Sequence, residues 1–98
     1  MVTVRLQKAP LLSLTATGHA ESAPRGEDLV CAGISTLLCT LAAQLQQADE
    51  EKSFVHIEPG FAVLYALPTA QARGAFSFVE TGLKLLAAQY PQNVSIAE

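Results

Sequence analysis

Hydrophobic positions along this chain switch between two periods. Near the start, Thr3 to Leu6 and then Leu11 to Thr17 alternate large apolar with small polar residues, a period of two that predicts strands. Lys8, Ala9 and Pro10 form the turn between them, and Gly18 ends the second. Val30, Ile34, Leu37, Leu41 and Leu45 then recur at helical spacing, and the charged stretch Asp49 to Lys52 closes that helix. Ser53 to Glu58 and Phe61 to Leu67 read as two more strands joined at Pro59-Gly60, a strong turn signal. A second helix starts at Thr69, carries Ala72, Phe76, Val79, Leu83 and Leu86 on one face and stops at Tyr90 and Pro91. Asn93 to Ala97 adds a short edge strand. The expected fold is of the α+β type, a two-layer sandwich with two helices packed on one face of a mainly antiparallel sheet.

Length and composition fit this pattern. The chain has 98 residues, 50% hydrophobic and 15% charged, which suits one domain over residues 1–98 and excludes disorder as a general description. A net charge of -3 argues against nucleic acid as a direct partner, because phosphate binding needs clustered Lys and Arg. The start, MVTVRLQKAP, lacks the sustained apolar stretch of a secretory signal, and no run approaches 18 consecutive apolar residues. The expectation is a cytoplasmic protein with no membrane partner.

The two cysteines carry the first chemical information. Cys31 and Cys39 are eight residues apart on one predicted helix, roughly 12 Å at the helical rise. A disulfide tolerates a Cα separation of only about 7 Å, so both are expected as free thiols. Cys39 lies among leucines in mid-helix and reads as core. Cys31 stands about one turn inside the helix start, with Asp28 as the candidate N-cap. There, unpaired backbone N–H groups and the positive end of the macrodipole favour a thiolate. That effect is worth roughly 0.3 to 1 kcal/mol, about 2 at most, and Glu27 and Asp28 oppose it. An activated sulfur therefore needs a cationic partner.

His19 is the nearest candidate. It follows the strand that ends at Gly18, and a short loop, Glu21 to Gly26, returns the chain to the helix start. A histidine at a strand exit and a cysteine at the following helix entrance can meet as base and nucleophile. His56, inside a predicted strand, is not expected to take part. Two Cys and two His spread over the chain do not make a metal site.

These residues carry a likeness. Gly18, His19 and Ala20, followed by Gly26, Asp28, Val30, Cys31, Ala32, Gly33 and Ser35, resemble the ribosomal-processing cysteine protease family, also called the Prp family. The resemblance extends over essentially the whole chain. It implies a bacterial endopeptidase that removes the N-terminal extension of a large-subunit ribosomal protein, acts as a homodimer and uses no cofactor. His19 and Cys31 would form the catalytic pair, with Asp28 and Ser35 in support and Gly18 and Gly26 flanking the substrate loop. The loop departs from the family in one respect: it carries Pro24 where glycines are common, which narrows its backbone freedom. Two other readings use the same residues, a non-enzymatic ribosome-assembly adaptor and a thiol-based redox sensor. The sensor would want a resolving thiol within reach of Cys31, and Cys39 is too far along the helix.

Overall fold

A computed structural model describes residues 1–19 and 29–97 of the chain. Strands β1 (Val2–Gln7) and β2 (Leu12–Gly18) form a hairpin. Helix α1 (Leu29–Asp49) follows and tightens into a 3-10 turn at Glu50–Lys52. A second hairpin, β3 (Ser53–Glu58) and β4 (Phe61–Ala66), leads into helix α2 (Ala70–Gln89) and the short strand β5 (Val94–Ala97). The sheet order is β3-β4-β2-β1-β5, antiparallel except where β5 runs parallel to β1 at one edge. The two-layer architecture and nearly all element boundaries agree with the alternation and helical spacing of the sequence.

Both helices lie on one face of the sheet for a topological reason. The connection through α1 joins β2 to the parallel strand β3, with β4 between them, and the one through α2 joins β4 to the parallel strand β5. The two crossovers start from oppositely directed strands and travel in opposite senses across the sheet. The preferred right hand therefore puts both helices on the same side.

Alternation then decides what is buried. Val2, Val4 and Leu6 of β1, Leu12, Leu14 and Ala16 of β2, and Ala62, Leu64 and Ala66 of β4 turn towards the helices. Their neighbours in sequence form the outer sheet face, where Phe54 and Tyr65 lie side by side with ring centroids 6.1 Å apart. Helix α1 sends Val30, Ile34, Leu38, Leu41 and Leu45 into the core. Leu38 takes the place expected for Leu37, which leans instead on α2: a side chain at Gly82 would meet its Cδ2 at 2.8 Å. Gly33 serves the same approach from the other helix, since a Cβ there would lie 3.3 Å from Leu86 Cδ1. The glycine in the second turn of α1, about 1 kcal/mol worse than alanine in a helix, is thus explained by helix–helix contact.

Helix α2 begins as expected. The Thr69 hydroxyl accepts from the Ala72 N–H at 3.1 Å, a cap worth about 1 kcal/mol. Ala72, Phe76, Val79 and Leu83 are buried, with Leu86 partly so. Glu80 is also buried, and its two carboxylate oxygens meet Lys8 at 3.3 Å and Lys84 at 3.0 Å. Lys8 belongs to the turn after β1, so this cluster ties that turn to the helix layer.

Leu14 sits fully buried on a central strand, and Gln7 is exposed at the end of β1. Leu14→Ala is expected to lower the unfolding free energy by about 2–5 kcal/mol and Gln7→Ala by no more than about 0.5 kcal/mol. Urea unfolding of the two variants checks this ranking.

Candidate functional site

Strand β2 ends on a residue that only glycine serves well. Gly18 has φ +98, and a Cβ there would overlap the Met1 carbonyl oxygen. Its N–H donates to the Gly60 carbonyl at 2.9 Å, so the strand exit is fastened to the turn between β3 and β4. The next residue, His19, is exposed, and its carbonyl accepts from the Met1 nitrogen at 2.6 Å. Its imidazole lies against Gly60: a Cβ on that glycine would stand 3.0 Å from Nε2.

Cys31 occupies the third position of α1, half-buried and packed against the core cluster. The residue thus lies in the first turn of the helix, at the positive end of its macrodipole. Cys31 and His19 line one groove of about 1040 Å³. Its walls are the first half of α1 on one hand and the Ile57–Phe61 turn with the exit of β2 on the other. The volume exceeds that of a typical small-molecule pocket and suits a length of peptide.

Ser35 and Gly18 line the same groove. The hydroxyls that bond back into α1 are those of Thr36, to Ala32, and Thr40, to Thr36. Asp28, Gly26 and Pro24 lie outside the described residues. His56 is exposed on the outer sheet face, 3.4 Å from Glu58. Among the described residues no three of His, Cys, Asp and Glu gather as a metal site would require.

Cys39 differs from expectation. It is exposed and lines the groove beyond Ser35, with no place in the core. The buried stripe of α1 runs through Leu38, which turns the adjacent residue about 100° away from the sheet. Cys31, Ser35 and Cys39 are spaced by four, so they share one side of the helix, and that spacing is the clue the sequence offers. Neither cysteine is in a disulfide.

The Ile57–Phe61 turn is a wall of the site that sequence patterns do not announce. Pro59-Gly60 marks a turn, yet nothing local says that β4 will pair with β2. That pairing, Leu12 with Ala66 through Thr17 with Phe61, carries the turn to the side of His19.

Comparison with known proteins agrees with this geometry. The model of a family described as cysteine protease Prp matches residues 1–95. The ribosomal processing cysteine protease Prp of Mycoplasma genitalium is 34% identical over 85 residues, covering 87% of this chain and 86% of that protein. The protein of the same name from Mycoplasma pneumoniae is also 34% identical, over 87% of this chain and 85% of its own length. In fold, the chain is similar to the Staphylococcus aureus ribosomal processing protease Prp bound to a covalently linked product peptide. The TM-score is 0.86 at 19% identity, covering 98% of this chain and 97% of that one. SMU.848 from Streptococcus mutans superposes with a TM-score of 0.67 at 27% identity, covering 97% and 89%. With the family model matched almost from end to end and two relatives alike over most of their length, this chain belongs to the Prp family of cysteine proteases.

Proposed function

We propose that this protein is an endopeptidase that removes the N-terminal extension of a bacterial large-subunit ribosomal protein, with Cys31 as nucleophile and His19 as its base. The observation that carries the reading is that these two side chains, supplied by different elements, line one peptide-sized groove. The ribosomal substrate is supported by the names of the relatives, and the peptide mode of binding by the Staphylococcus aureus enzyme, which has been solved with substrate and product peptides.

In this reading His19 takes the proton from Cys31 Sγ, and the thiolate adds to the scissile carbonyl carbon. The carbonyl π electrons move to oxygen, and the oxyanion needs donors at about 2.7 to 3.1 Å. Backbone N–H groups in the first turn of α1 are suited to that task. The intermediate collapses, the C–N bond breaks, and the imidazolium gives its proton to the departing amine. Water, deprotonated by His19, adds to the thioester and releases the carboxylate product, with the proton returned to sulfur. Ser35 lies one helical turn from the nucleophile and contributes polarity beside it; Asp28, outside the described residues, keeps the supporting role that family membership suggests. No cofactor enters any step.

The working form in this reading is a homodimer in the cytoplasm, in contact with protein and not with nucleic acid. That neither Cys31 nor Cys39 is in a disulfide supports a reducing compartment. Helix α1 has no charged residue from Leu29 to Ala48, a mean hydropathy of 1.6 and only a third of that length buried. By length and composition it could also cross a membrane, but its apolar stripe is used against the sheet. Beside it on α2, Phe78 and Leu85 are 77% and 65% exposed, seven residues apart on one face. The Thr36, Thr40 and Thr81 hydroxyls bond to carbonyls of their own helices, which satisfies them within the helix. A two-fold interface sets a patch against itself, and a face without charge does so free of repulsion.

Three outcomes are expected. A peptide spanning the extension is cut into two fragments, seen by mass spectrometry, and Cys31→Ala or His19→Ala lowers kcat/KM by about 10³-fold or more. Uncut peptide that still binds would favour the adaptor. At pH 7 Cys31 alkylates faster than Cys39, although Cys39 is the more exposed, and His19→Ala removes the difference. Equal rates in the wild type would sink the activated thiol. By sedimentation the wild type is a dimer, and Phe78→Glu with Leu85→Glu yields monomer.

A further inference from the structure

The imidazole of His19 is exposed, and the residue stands just past the end of β2, so its orientation must be set by contacts from elsewhere. Gly60 supplies two of them. Its carbonyl accepts the Gly18 N–H at 2.9 Å and so fixes the backbone one residue before the histidine. Its Cα then faces the ring. A Cβ built there would lie 3.0 Å from Nε2 and 3.3 Å from Cε1, closer than a carbon normally approaches. The ring therefore rests in the space that any other residue's side chain would fill. Gly60 itself sits in a two-residue turn with Pro59 before it and φ +80, the pattern of a type II turn.

From this the geometry points to Gly60 as a positioning residue for His19: the bare Cα of the β3–β4 turn is the surface that aims the imidazole into the groove. This rests on His19 being the base. It goes beyond that reading by assigning the orientation of the base to a distant hairpin, 41 residues along the chain.

The competing explanation is that Gly60 is glycine only because of its φ. Asparagine separates the two, since it tolerates positive φ while carrying a Cβ. If the turn alone matters, Gly60→Asn is as active as the wild type. If the ring needs the empty space, Gly60→Asn keeps Tm within a few degrees and KM for the extension peptide within about twofold, while kcat falls about 10-fold, the scale of a sub-ångström misplacement of a catalytic group. Gly60→Ala brings the same Cβ with less bulk and replaces Gly60→Asn should the latter not fold, with rates normalised to folded enzyme.

A double-mutant cycle completes the test. Adding Gly60→Asn to His19→Ala should cost nothing further, because the group it displaces is gone. A full second loss in that background would assign the effect to the hairpin and overturn the proposal, as would a wild-type kcat for Gly60→Asn. Retention of cleavage by His19→Ala would instead remove the base itself and the proposal with it.

Discussion

The pairing of β2 with β4 is the constraint on which the site depends. Six consecutive residue pairs, from Leu12 with Ala66 to Thr17 with Phe61, join a strand from the first hairpin to one from the second. The register is held by burial: Leu14 and Leu64 face each other on the helix side, and both are fully enclosed. A slip of one residue would turn one of these rows towards water. It would also carry Gly60 away from Gly18, and the histidine would lose the turn against which it rests. The same apolar contacts that make the core thus set the geometry of a polar site at its edge.

Much of this arrangement is legible in the order of the residues. Period-two alternation in Val2 to Leu6 and Leu12 to Ala16, and helical spacing in Val30 to Leu45 and Ala72 to Leu83, are properties of neighbouring residues. Gly18 before His19 and Cys31 near a helix start are local features as well, and both side chains line one groove. What stays hidden is non-local or finely balanced. Leu37 and Leu38 are both leucines, so periodicity alone does not say which one faces the sheet, and the fate of Cys39 depends on that choice. The β2–β4 register spans more than forty residues and leaves no mark near His19.

The two helices show a related economy. In a chain this short, apolar area is scarce, and close packing must replace volume. Gly33 and Gly82 allow a leucine of the opposite helix to enter each surface, so Leu86 and Leu37 bind the helices together outside the sheet-facing core. Glycine weakens each helix slightly, and the gained contact offsets it. Because Gly33 lies two residues after Cys31, that crossing also anchors the end of α1 that bears the thiol.

The proposed nucleophile and base are consequently held by different means. Cys31 is built into a helix, half-buried and packed against the core, so its backbone is held by the helix and its side chain by the packing. His19 lies beyond the last residue of a strand and has neither burial nor helix to hold it. Its place comes from the Met1 nitrogen on its carbonyl, from the Gly18–Gly60 hydrogen bond and from a bare glycine carbon beside its ring. In the proposed mechanism, a sulfur that attacks one point gains from being fixed. An imidazole that there serves first the sulfur, then the departing amine and then water gains from being guided on one side and open on the other.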